Sequence, residues 1–133
     1  MTSASEINPS ILVVDDEDSV REAIATALSG EGYKIITSPN VPDAILKLLQ
    51  MKFDVAIVDI LMPDASGFEL MNVMEKMCPE TKIVVLTAIL DDSSQFQETA
   101  ESSGAAAYLK KPCKLQDLKT TIRNVLDQCE TIA

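Results

Sequence analysis

Histidine and tryptophan are both absent from the 133 residues. Without histidine the chain lacks the commonest general base, and it cannot carry a phosphohistidine of its own. The three cysteines, Cys78, Cys113 and Cys129, form no C-x-x-C pair and have no histidine to complete a zinc site. An odd, unpatterned cysteine set suits a reducing compartment, and a cytoplasmic location is expected. Positive charge is scarce: 11 Lys and Arg stand against 21 Asp and Glu, a net charge of -10. That balance argues against a sequence-independent grip on nucleic acid and against an anionic membrane surface. It suits a well-solvated exterior. No apolar run approaches the roughly 20 residues of a membrane span. Residues 1–9 are polar and lack a signal-peptide core.

What is present is a single domain's worth of apolar sequence, 47% of the chain. It is organised around Val55-Ala56-Ile57-Val58-Asp59, where four apolar residues end abruptly on a carboxylate, with Met62-Pro63 and Gly67 beyond. A short apolar run bounded by turn residues reads as a strand buried on both faces. Ile11 to Val14 and Lys82 to Leu86 read the same way, Tyr33 to Thr37 as a shorter, more exposed strand, and Ala105 to Leu109 as a small-residue strand. Between them, apolar residues recur at helical spacing. Val20, Ile24, Ala27 and Leu28 follow Ser19 as cap, and Val41, Ala44, Ile45, Leu48 and Leu49 follow a Ser38-Pro39-Asn40 turn, with Pro42 suited to a first helical turn. Leu70, Met71, Met74 and Met77 form the next stripe, ending at Cys78-Pro79. A polar helix anchored by Phe96 and Ala100 is expected over 91–102, and Leu115, Leu118, Ile122, Val125, Leu126 and Cys129 complete the set. Five strands alternating with five helices predict a parallel sheet covered on both faces, with right-handed crossovers. The expected organisation is a leader over 1–9, one domain over 10–129 and a tail over 130–133.

The chemistry collects at strand ends. The first strand ends on Asp15-Asp16, the third on Asp59, the fourth on Thr87, and the fifth on Lys110-Lys111. In a parallel sheet these carboxyl ends share one edge, where ligands bind in open α/β folds. Three close carboxylates repel, and a hard divalent cation relieves the repulsion. Lysine suits a phosphate oxygen and threonine donates a further hydrogen bond. An ionised Asp59 is then a nucleophile able to become an aspartyl phosphate. Taken singly, each residue has a plainer reading: Asp15 and Asp16 as loop or cap residues, Asp59 as a turn opener, Thr87 as structural, Lys111 as a solvated lysine. Their joint placement favours the chemical one.

These residues, with Val85-Leu86-Thr87-Ala88 and Tyr108 before Lys111-Pro112, resemble the receiver domain of two-component response regulators over roughly residues 10–128. The resemblance implies a flavodoxin-like (βα)5 three-layer sandwich with strand order 2-1-3-4-5. It implies that Asp59 accepts a phosphoryl group from the phosphohistidine of a histidine kinase or phosphotransfer protein. It further implies magnesium (or manganese) at Asp16, Asp59 and the Leu61 carbonyl, with Asp15 mainly through water. Thr87 and Lys111 would contact the phosphoryl oxygens, and Tyr108 would be the switch aromatic, moving inward as Thr87 shifts. Of the two lysines, Lys111 matches, Lys110 pointing away, and a cis Lys111–Pro112 bond would aim it at Asp59. Leu61 and Ile89 would flank the route of hydrolytic water, predicting slow phosphate loss, and small Ala88 would leave room for a donor. The output face would comprise the helix over 91–102, the fifth strand and the last helix, with Phe96, Tyr108 and Leu118. The expected partners are the kinase and an unknown downstream protein or fused output domain, the chain being monomeric or dimerising on phosphorylation, with no enzymatic substrate of its own. The alternatives are a receiver excised from a larger transcription factor, output enzyme or hybrid kinase, an aspartyl-phosphate phosphatase, and an FMN-binding flavodoxin. The phosphatase would want a second Asp where Leu61 stands. The flavodoxin would want an uncharged loop where Asp15-Asp16-Glu17-Asp18 stands.

Overall fold

Aliphatic, largely β-branched runs with no polar alternation lose nothing by burial on both faces, and such runs build the centre of this protein. A computed structural model describes residues 8–60, 67–87, 104–111 and 113–131, with backbone alone for Thr87 and 128–131. The strands are β1 (Ser10–Val14), β2 (Lys34–Ser38), β3 (Val55–Val58), β4 (Lys82–Thr87) and β5 (Ala107–Lys110). They form one five-stranded sheet in the order β2-β1-β3-β4-β5. Every pairing is parallel, as expected for the flavodoxin-like class. The described helices are α1 (Asp18–Ser29), α2 (Val41–Gln50), α3 (Gly67–Met77) and α4 (Leu115–Thr131). The helix expected over 91–102, including Phe96, lies outside the described residues.

The period of two along each strand sorts the core into two halves. Leu12, Val14, Ala56, Val58, Ile83 and Val85 face α2 and α3. Ile11, Val13, Val55, Ile57, Val84 and Leu86 face α1 and α4. Each such Val, Leu or Ile side chain contributes about 1.5–3 kcal/mol when fully buried, so the sheet's centre anchors the fold.

Five details differ from the sequence reading. Helix α1 is capped by Glu17, not Ser19, because the helix starts at Asp18 and the Glu17 carbonyl accepts the Arg21 N–H. Ser38 belongs to β2 rather than a turn: it pairs with Val14 and is fully buried, so β2 matches β1 residue for residue and is not shorter. Asn40 caps α2, accepting the Asp43 N–H at 2.8 Å. Strand β5 starts at Ala107, two residues late, since Gly104 takes a positive φ of 85° and the β4 ladder begins only at Val84–Ala107. Leu118, expected on an output surface, is a core residue, 2% exposed, because the Leu118, Ile122, Val125 stripe of α4 turns to the sheet.

The register sets the functional edge. Val14 pairs with Val58, Val58 with Val85, and Val85 with Tyr108. The residues that follow Val14 and Val58 are Asp15 and Asp59, so the two carboxylates leave adjacent strands level with one another. The ladder extends one step further: Asp59 N–H donates to Val14 O at 2.9 Å and Asp15 N–H to Ser38 O at 3.1 Å.

Candidate functional site

Asp15 and Asp59 emerge from the sheet edge almost wholly buried, 2% and 3% exposed. Two ionised carboxylates so placed need compensation. Lys111, the first residue after β5, supplies it. Its ammonium lies 2.7 Å from Asp15 Oδ2 and 3.2 Å from Asp59 Oδ2, and 3.5 Å from Glu17 Oε1. Burial acts to lower the Lys111 pKa. The hydrogen bond and charge of Asp15, then the charge and hydrogen bond of Asp59, outweigh it and hold the ammonium above its ordinary value. Lys110, one residue earlier, is exposed.

Asp15 is fixed on all sides. Its Oδ1 accepts the Glu17 N–H at 2.9 Å and its carbonyl accepts Arg21 Nη1 at 2.5 Å. Asp16 is exposed, with no ion pair or side-chain hydrogen bond among the described residues. One carboxylate oxygen from each of Asp15, Asp16 and Asp59 lies within 4.8 Å of the other two. An all-oxygen, anionic donor set of this size fits a hard cation such as magnesium, which keeps several waters beside one or two carboxylates.

The edge is kept close to α3 by Gly67. A Cβ there would lie 2.6 Å from the Asp59 carbonyl oxygen and 2.7 Å from Ile60 Cα. Tyr108 is half-buried on β5 and packs against the core on the α2 and α3 side. Thr87 ends β4 opposite Lys110, with its backbone alone described. Leu61, Ala88, Ile89 and the Lys111–Pro112 bond lie outside the described residues. Between α1 and α4 runs a cavity of about 590 Å³ whose lining includes Val20, Ile24, Leu86 and Leu118 together with Glu17 and Lys111.

Two residues of this edge escaped the sequence reading, Glu17 as a third carboxylate on Lys111 and Arg21 as a clamp on Asp15. The first was signalled by the unbroken acidic run 15–18, the second by an arginine three residues after Asp18.

The family model for the response regulator receiver domain matches residues 11–123. The chain belongs to this family: it is a receiver domain of the two-component response regulator type. A cyclic di-GMP phosphodiesterase of Thermotoga maritima is 32% identical over 116 residues, covering 87% of this chain and 30% of that protein. A receiver domain from Methanospirillum hungatei superposes with a TM-score of 0.88 at 28% identity, covering 95% of this chain and 99% of the other. The response regulator TrrA of Thermotoga maritima, solved in complex with Mg2+-BeF, gives a TM-score of 0.77 at 34% identity, covering 88% of this chain and 98% of the other. The chain spans at most half the length of the curated relatives it matches first, 30% in one case and 50% in another. Among the described residues, no helix is long and apolar enough to cross a membrane.

Proposed function

We propose that Asp59 is the phosphoacceptor of this receiver. The observation that carries the reading is the Asp59 carboxylate, buried at the end of the central strand with the Lys111 ammonium 3.2 Å away. An Asp59 oxygen attacks phosphorus, the bond from phosphorus to the donor imidazole nitrogen breaks, and the imidazole leaves. Lys111 then has a phosphoryl oxygen to pair with, in addition to Asp15. Asp15, Asp16, Asp59 and the Leu61 carbonyl are the proposed holders of magnesium (or manganese). The ion, when bound, supplies positive charge to the transferring phosphoryl oxygens.

Thr87 is the proposed second phosphoryl contact, and Tyr108, which neighbours Val85 across the ladder, the aromatic that reports its movement. Phosphorylation biases a two-state equilibrium of the surface around β5 and α4. Leu61 and Ile89, which have no side-chain donor or acceptor to orient a water, favour a slow return, while Ala88 leaves space for the donor. The partners are a histidine kinase or phosphotransfer protein and a downstream protein or fused output domain, in the cytoplasm, with the chain acting as a signalling module on no separate substrate. The domain is proposed to span 10–129. The phosphodiesterase activity in one relative's name belongs to that protein, of which this chain matches 30%.

Acetyl phosphate with magnesium, followed by intact-mass measurement, tests the assignment. One phosphate adduct is expected on the wild type and none on Asp59→Asn. An adduct that persists in the variant refutes Asp59 as acceptor.

A further inference from the structure

Arg21 stands on α1, one turn beyond the acidic run, and its side chain is only 14% exposed. Its guanidinium grips the β1–α1 loop at two points. Nη1 donates to the Asp15 carbonyl at 2.5 Å, and Nη2 pairs with the Asp18 carboxylate. Asp16 lies between those two points.

The members of the acidic trio are held differently. Asp59 is seated by the sheet and Lys111. Asp15 is seated through its N–H, both carboxylate oxygens and its carbonyl. The Asp16 carboxylate has no such anchor among the described residues, so its place beside Asp15 and Asp59 depends on the loop backbone that carries it.

We propose that Arg21 is a positioning residue for the cation site: by tying Asp15 to Asp18 it holds the loop in the form that turns Asp16 toward Asp15 and Asp59. The inference rests on the reading of that trio as a magnesium site. The planar fork of arginine suits the task, since two separate acceptors are engaged in a fixed geometry. Lysine, with a compact ammonium, is suited to one of them at a time.

The charge of Arg21 works in the opposite direction. A cation beside the acidic trio repels magnesium, so charge alone makes removal of Arg21 tighten binding. Loss of positioning makes it weaken binding. The sign of the change therefore separates the two, and a helix-stabilising role alone moves the melting temperature without moving magnesium affinity.

Isothermal titration with magnesium on the wild type, Arg21→Ala and Arg21→Lys, with thermal melts in chelator alongside, provides the test. Arg21→Ala should bind magnesium about tenfold more weakly, at the low end of what outer-shell partners contribute to metal affinity. Arg21→Lys should fall between the two. It keeps the charge, so any weakening there is geometric, and it carries the test alone if the alanine variant fails to fold. Unchanged or tighter binding in Arg21→Ala, or wild-type affinity in Arg21→Lys, overturns the proposal. A wild type that binds no magnesium overturns the metal reading first, and the role of Arg21 with it.

Discussion

Replacing Gly67 by alanine tests how closely α3 is pressed on the strand that ends at Asp59. An added Cβ would meet the Asp59 carbonyl oxygen at 2.6 Å, Ile60 Cα at 2.7 Å and Val58 Cγ1 at 2.9 Å. Two of the three are backbone atoms, which no rotamer change relieves, so the start of α3 or the end of β3 must retreat. Overpacking of this kind costs about 1–3 kcal/mol, against which the better helix propensity of alanine offsets up to about 1 kcal/mol. The net expectation is a loss of about 1–2 kcal/mol. Gly30 supplies the matched control. Its φ is -64° and its nearest Cβ contact would be the Ala27 carbonyl at 3.4 Å. Gly30→Ala should therefore be neutral or gain about 0.5 kcal/mol through the unfolded chain. Urea unfolding followed by far-UV circular dichroism should place the two variants about 2 kcal/mol apart. Gly67→Ala should also take up phosphate from acetyl phosphate more slowly, because the displaced atoms belong to Asp59 and its neighbour. A Gly67→Ala protein as stable as Gly30→Ala, and phosphorylated at the wild-type rate, would refute the close-approach argument.

Two further outcomes follow from the ion pairs. Lys111→Met strands the buried carboxylates of Asp15 and Asp59, and should lower stability in chelator by about 3 kcal/mol, with magnesium restoring part of it; an unchanged urea midpoint in chelator removes Lys111 as their counter-ion. The Lys47 hydrogen bond, then that of Ser38, holds the Asp43 carboxyl below its ordinary 3.8. Its contribution is therefore present above that pH and lost as pH falls through the lower folded value, so Asp43→Asn should flatten the acid limb of a stability–pH curve, and an unchanged limb counts against the clamp.

The sheet was legible because buried parallel strands leave a plain trace: Ile11 to Val14 and Val55 to Val58 are uninterrupted aliphatic runs that stop on carboxylates. Strand order and the choice of Lys111 over Lys110 came from the family resemblance, since a two-lysine run carries no register of its own. Where the pattern is weak the reading slipped. Ala105-Ala106-Ala107 offers no contrast between loop and strand, and only the turn at Gly104 and the ladder with β4 fix where β5 begins. Ser19 is a better capping side chain than Glu17, yet the helix starts where the Asp15–Glu17 turn delivers the chain. Leu118 belongs to the apolar stripe with Ile122 and Val125, and that stripe, rather than the output face, decides its burial.

Glu17 and Arg21 were missed for a different reason. Sequence patterns report side-chain chemistry at regular spacings, whereas Arg21 acts on a backbone carbonyl six residues back, and Glu17 reaches Lys111 from 94 positions away. Neither contact has a periodicity. Yet together they show how the edge is balanced. One ammonium is shared by Asp15, Asp59 and Glu17, while Asp16 faces solvent. A single positive charge offsets only part of that negative charge. The remainder is what the proposed dication would offset on the exposed side, where Asp16 stands, and a phosphoryl group on Asp59 would add oxygens for Lys111 to pair with. Lys111 follows directly on β5, the strand that carries Tyr108, so the acidic edge and the proposed switch aromatic share one strand.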